Sequence, residues 1–293
     1  NVANNKTVTL GTLALADNSG LASNYTLSGG THQLTVDQRP LNATLARQYD
    51  GTTASAGSDL SSFDALQGGE TLTLSGSGTS ASANVANGIA MSSNGNLALV
   101  DGTGLASNYS LNSTVINITP RVLNSSGSKI YDANTDALAA DITLSNLVSG
   151  ETLNHSGTAT ISSANTGNYT INNLTGITLA DNTGTASNYT LTGGTHNFTV
   201  NPKVVSIQGN KTYDGNTTIS SGDITSITDT VGAETLVISS GSGTVSSANA
   251  ATYASADINE GTLTLGNGTN GGLASNYTLT GHAASSFQVA QRV

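Results

Sequence analysis

The chain has no cysteine, no tryptophan, one methionine and three prolines in 293 residues. No disulfide framework and no cysteine-bearing zinc spacing can therefore exist. A cytosolic chain of this length usually carries a few reduced thiols, so their absence fits large exported bacterial proteins. Charged residues make up only 9%, against roughly 25% in an average soluble domain. The 8 Lys and Arg stand against 18 Asp and Glu, for a net charge of −10. That balance argues against nucleic-acid partners, which need clustered cations to displace counterions, and against docking on anionic lipid. Aromatics are 4%, so a core must come from Val, Ile, Leu, Ala and Tyr. No run of eighteen apolar residues occurs, which excludes a membrane-spanning helix and implies no membrane insertion in this segment. Helical periodicity is also missing. The best candidate, residues 58–66, is short.

What is abundant is glycine, 34 residues, together with Ser, Thr and Asn, and these are arranged in a repeat. Leu-Ala-Ser-Asn-Tyr-Thr-Leu at 21–27 returns at 105–111, 185–191 and 273–279 with one change in two of the copies, its tyrosines spaced 84, 80 and 88 apart. Tyr49-Asp50-Gly51, Tyr131-Asp132-Ala133 and Tyr213-Asp214-Gly215 recur every 82 residues. Two further anchors are Glu-Thr-Leu at Glu70, Glu151 and Glu234, and Ser-Ala-Asn at 82–84, 163–165 and 247–249. The repeat divides the chain into the C-terminal half of one module (1–38), full modules at 39–120 and 121–202, and a module at 203–293 with a Gly/Asn insertion at 266–272. The chain begins mid-pattern without a signal peptide and is expected to be an internal segment of a longer protein.

Within each module apolar residues alternate, as in Leu72/Leu74, Leu97/Leu99, Ile116/Ile118 and their counterparts Leu34/Val36, Phe198/Val200 and Phe287/Val289. A period of two marks half-buried, mainly antiparallel strands. The run at 97–99 is expected to form a hairpin with the strand at Tyr109. The module joints contain Pro40, Pro120 and Pro202 but no flexible tether, so neighbouring modules are expected to contact each other and form an elongated, semi-rigid rod. A module of this size is marginal alone, and such contacts should stabilise it. The fold class is all-β, a tandem array of small modules. An immunoglobulin-like sandwich, a β-grasp-like sheet and an elongated prism or solenoid all remain open, although the long period argues against a simple β-helix.

No catalytic constellation emerges. The repeated tyrosines read as core or inter-strand packers. Asp50, Asp132 and Asp214 read as turn residues capping their own backbone, and Glu70, Glu151 and Glu234 as strand starts. Asp17, Asp101 and Asp181 precede polar loops, but calcium needs six to eight oxygens and these carboxylates are single. No metal and no cofactor site is therefore assigned. His32, His196 and His282 occupy similar strand positions and read, with His155, as surface or edge residues. No serine sits in a nucleophile elbow. Every candidate is copied, whereas an active site is normally unique, so the chain is expected not to be an enzyme. Asn24, Asn108, Asn188 and Asn276 lie in Asn-x-Ser/Thr sequons, which such a composition produces without selection for glycans.

The Tyr-Asp-Gly turn, the Asn-Tyr-Thr-Leu segment and the terminal Ile-Thr-Pro at 118–120 resemble the YDG/MBG-type repeats of large bacterial adhesins and filamentous-haemagglutinin-like exoproteins. The resemblance runs through the whole chain. Ala133 departs from it at the glycine, and Gln38 and Gln291 depart at the proline. It implies a β-rich stalk or fibre segment of an extracellular or cell-surface adhesin, supporting adhesion or a biofilm matrix. The partners it implies are the neighbouring modules. The second reading is a repeated binding module that holds glycans or other cell-surface molecules through avidity.

Overall fold

The computed structural model describes residues 1–171 and 173–293. They form an all-β protein of small, mostly antiparallel sheets joined by turns and three-residue 3₁₀ segments. The chain divides into two compact units. The first holds Asn1–Arg121 with Ser187–Tyr189, the second Val122–Ala186 with Thr190–Val293.

Residues 121–202 show how a repeat is built. Four strands lie side by side in the order Ile142–Ser145, Asn124–Ile130, His196–Asn201, Gly167–Thr170. The central pair, the first and last long strands of the repeat, is parallel, with Gly127 opposite Phe198 and Lys129 opposite Val200. Both flanking pairs are antiparallel. A second sheet holds Asp136–Leu138, Asn154–Thr160 and Ile177–Ala180. Residues 203–293 repeat the order, with Ser206–Thr212 parallel to Ser286–Ala290 and Gly209 opposite Phe287. In residues 39–120 the matching strands merge into one six-stranded sheet, and Arg39–Gln48 runs parallel to Tyr109–Thr119 with Leu45 opposite Ile116. The alternating pattern reports burial of one face and is silent about which strand lies alongside, so it gave no sign of this parallel pair.

The closing strand of each full repeat buries both of its apolar side chains: Ile116 and Ile118, Phe198 and Val200, Phe287 and Val289. The residue opposite is fitted to them. A Cβ on Gly127 would stand 2.8 Å from the Phe198 ring and 2.4 Å from the Asp141 carbonyl oxygen. On Gly209 it would meet the Phe287 ring at 2.8 Å and the Asp223 carbonyl at 2.5 Å. Where the ring is replaced by Ile116, the opposing residue is Leu45. Phenylalanine over glycine and isoleucine over leucine are thus two ways of filling one space. In the second unit a single apolar cluster includes Tyr131, Phe198, Ile207, Tyr277 and Phe287, and so runs through both of its repeats.

One local reading holds and one expectation is corrected. Residues 58–66, the best helical candidate in a chain without helical periodicity, do not form a helix. After the 3₁₀ turn Gly57–Asp59, the chain enters the strand Leu60–Phe63, antiparallel to Arg39–Gln48. Asp59 accepts the Ala56 amide at 3.0 Å and ends the helical turn there, while pairing claims the residues that follow. The strand Ala98–Asp101 pairs with Leu72–Ser75, not with the strand at Tyr109. Asp101 accepts the Ala106 amide at 2.7 Å, and the 3₁₀ turn Ala106–Asn108 directs the chain into the other sheet.

Candidate functional site at the repeat joint

Each Tyr-Asp-Gly turn is organised by a cation two residues before its tyrosine. Arg47, Lys129 and Lys211 are three of only eight cationic residues in the chain. Lys129 pairs with Asp132 at 2.8 Å and Lys211 with Asp214 at 3.0 Å, and Arg47 pairs with Asp50. The cationic side chains are nearly buried. Lys211 Nζ donates to Asp214, to the Asn216 carbonyl and side chain (both 2.9 Å) and to the Thr218 carbonyl (2.8 Å). A buried ammonium is tolerable only with such a full set of acceptors. The Asn216 amide and the Lys211 ammonium hold the Asp214 carboxyl below its ordinary range. At Asp50 and Asp132 burial pushes the other way, and the turn amides with Arg47 or Lys129 outweigh it.

The turn fixes the tyrosine, and the tyrosine leaves its own repeat. In the second unit, the Tyr131 ring meets Tyr277 edge-on, with centroids 5.3 Å apart and an interplanar angle of 77°. The Tyr131 hydroxyl donates to Glu234 Oε1 at 2.7 Å, and the Tyr277 hydroxyl donates to Oε2 at 2.6 Å. Tyr277 also accepts the Val231 amide at 3.0 Å, which ties the clamp to the turn that carries Glu234. Burial, and next the Glu234 carboxylate, push the Tyr131 hydroxyl up to about 12 and raise that of Tyr277 further. Beside the ring pair, Asn276 forms a second lock. Its Nδ2 donates to Asn165 Oδ1, and its Oδ1 accepts the Thr166 amide, both at 2.9 Å.

The first unit carries the same elements. Tyr49 meets Tyr189 edge-on at 5.4 Å and 79°. Asn188 donates to Asn84 and accepts the Val85 amide, each at 2.9 Å. Asn108 accepts the Val2 amide at 2.9 Å and donates to Asn1 at 3.3 Å. Tyr109 donates to Glu70 and accepts the Gln67 amide at 3.2 Å. All four sequence anchors therefore converge on one construction. Tyr-Asp-Gly and Ser-Ala-Asn supply one side of a joint, and Asn-Tyr and Glu supply the other.

The YDG domain matches the chain three times, over residues 31–116, 117–198 and 195–285. The chain belongs to the YDG domain family. Among curated proteins and among solved structures, nothing matches it.

In these YDG repeats Tyr49, Tyr109, Tyr131, Tyr189 and Tyr277 are buried as expected, whereas Tyr25 and Tyr213 are exposed, and Tyr49 and Tyr131 pack across the joint, not only within a repeat. Glu234 is a shared acceptor and more than a strand start. The organising cation went unread, although its signal was present: a cation at the same offset before each Tyr-Asp in a chain almost without cations. The turn Asp residues do cap backbone, Asp50 taking the Thr52 amide at 2.9 Å. Asp17, Asp101 and Asp181 each accept an amide five residues on. Among the described residues no three His, Cys, Asp or Glu gather as a metal site, and no helix is long and apolar enough to cross a membrane.

The surface reading fails for His196, while His32, His155 and His282 are half-buried. His196 is buried, its Nε2 facing the Leu191 carbonyl at 2.8 Å and its Nδ1 facing Ser125 Oγ at 2.9 Å. A carbonyl can only accept, so Nε2 carries the proton and Ser125 donates to Nδ1. His155 donates toward the Ala139 and Ile142 carbonyls, and His282 pairs with Glu260 at 3.0 Å. These side chains hold loops against strands. Of the four sequon asparagines in the shared Asn-Tyr anchor, Asn188 and Asn276 are buried with their amides engaged, so in the folded array they have no room for a glycan. Asn24 is exposed.

Proposed function

We propose that this array is a stalk or fibre segment of a large repetitive bacterial surface or secreted adhesin, one that carries mechanical continuity in cell adhesion or an extracellular matrix. The observation that carries the reading is the joint. The residues that define the repeat are the ones that fasten repeat to repeat, as Tyr131, Glu234, Tyr277 and Asn276 do. A stalk requires that each added repeat lengthen it by a set increment without slack. The polar, cysteine-free surface and the low cationic content suit an extracellular location and a low tendency to stick to nucleic acid or lipid. The array is read as a spacer and not as a catalyst.

Small-angle scattering from arrays of increasing repeat number tests this. The maximum dimension should rise linearly with repeat number, and Tyr131→Ala should broaden the distance distribution. A maximum dimension that stays constant as repeats are added would overturn the reading. High-affinity glycan capture by a single repeat would instead favour the binding-module alternative.

A further inference from the structure

Tension along the chain enters a repeat through its first strand and leaves through its last, so the way these two strands are paired decides how the repeat yields. In every full repeat they are hydrogen-bonded neighbours and run parallel: Arg39–Gln48 with Tyr109–Thr119, Asn124–Ile130 with His196–Asn201, and Ser206–Thr212 with Ser286–Ala290. In a parallel pair the chain enters at one end and leaves at the other. Tension then draws the two strands in opposite directions along their shared axis, and all rungs of the ladder are loaded at once. An antiparallel terminal pair would enter and leave at the same end, and its rungs would break singly.

The ladder runs on to the edge of the Tyr-Asp-Gly turn. The amides of Tyr49, Tyr131 and Tyr213 donate to the carbonyls of Thr119, Asn201 and Ala290 at 2.9, 2.8 and 2.8 Å. At the opposite end the Leu123 amide donates to the Thr190 carbonyl at 2.8 Å, and the Val205 amide to that of Thr278 at 2.9 Å. Two features oppose sliding. The Phe198 ring lies over Gly127 and the Phe287 ring over Gly209, where a Cβ has no room. Drawing the first strand back by two residues keeps its faces matched but brings Lys129 or Lys211 under the ring. Lys129 is itself held, donating to Asp132 and to the Asn134 carbonyl and side chain at 2.7–2.8 Å. The chain beyond that turn is fixed in the second sheet by Asp136–Leu138. Straightening the turn therefore extracts a nearly buried ammonium from its acceptors. Residues 39–120 have no ring at this position, and their parallel pair is the longest, from Arg39 to Gln48.

We infer that the parallel pair is the load-bearing element of each repeat, a shear lock whose rungs fail together. Phe198 over Gly127 and Phe287 over Gly209 are its stops against slip, and Lys129 and Lys211 anchor its first strand to the turn. The inference rests on the stalk reading and says how the stalk would withstand pulling.

The full chain has no cysteine, so introduced pairs give unique thiol handles for optical tweezers. Arg121→Cys with Pro202→Cys loads the parallel pair in shear. Arg121→Cys with Ser149→Cys peels Ile142–Ser145 from its antiparallel neighbour. The rupture force should be about threefold higher in shear than in peeling, because several hydrogen bonds must break together in one direction and one at a time in the other. Equal forces, or a stronger peel, would overturn the inference. Lys129→Gln should lower the shear force and leave the peeling force unchanged. A fall of both by the same factor would show that Lys129 contributes general stability and anchors nothing. Scattering from the repeat series tests the stalk separately: a dimension that grows linearly, together with equal rupture forces, would keep the stalk and remove the lock.

Discussion

The repeats at 39–120 and 203–293 solve one packing problem differently and one joining problem alike. In the first, Ile116 lies against Leu45. In the second, Phe287 lies against Gly209, where a Cβ would be 2.8 Å from the ring. Volume has been exchanged in pairs across the parallel strands. At the joint nothing is exchanged: Tyr109 with Glu70 and Tyr277 with Glu234 use the same two side chains and the same turn amide. An apolar interior accepts any pair that fills it. A carboxylate shared between hydroxyls has one geometry, because each buried hydroxyl left without an acceptor costs free energy.

The largest break in the comparison should come from Gly209→Val, which drives a side chain into the Phe287 ring and the Asp223 carbonyl. A loss of about 3 kcal/mol is expected in urea unfolding of the full chain. Gly209→Leu combined with Phe287→Ile imports the pair of the first repeat and should recover most of it. A double variant as unstable as the single one would show that the two solutions are not interchangeable.

Next in size is the clamp. Glu234→Ala strands two hydroxyls and should lower stability by about 2 kcal/mol, and Glu70→Ala, which strands one, by about half as much. Equal losses at the two sites would show that the second hydroxyl on Glu234 adds nothing to stability. The same joint should respond to alkali. The Tyr131 hydroxyl is raised from 10 to about 12 in the fold, so its contribution is complete below pH 10 and fades between pH 10 and about 12. Tyr131→Phe should flatten that part of the stability profile measured by circular dichroism. The smallest effect concerns the turn. Ala133 holds φ +63° where Gly51 and Gly215 hold about +80°, a region that disfavours a side chain. Ala133→Gly should raise the unfolding midpoint slightly, by roughly 0.5 kcal/mol, and Gly215→Ala should lower it.

Much of this was legible without coordinates. Period-two alternation at Leu72/Leu74 and Ile116/Ile118 marked real strands, and the four anchors marked a real repeat. The side-chain role of Asp50 followed from the turn chemistry of Asp-Gly. The fate of the strand at 97–101 was not legible, because two strands of equal alternation are equally good neighbours until the loop between them is placed. The buried Ser125–His196 pair was not legible either, since a histidine after Gly-Gly-Thr has the same local context whether its ring lies out or in.

The sequence by itself determined that the protein is β, repetitive and cysteine-free, and where each repeat turns, because those properties reside in neighbouring residues and their spacing. Only the tertiary structure decided that the opening and closing strands lie parallel and that the tyrosines serve the joint. The reason is inherent in repetition. When every copy carries the same tyrosine, glutamate and asparagine, a contact within a repeat and a contact to the next leave the same period in the chain. Only their placement in space distinguishes Tyr131 bound to Glu234 from a tyrosine bound to a glutamate of its own repeat.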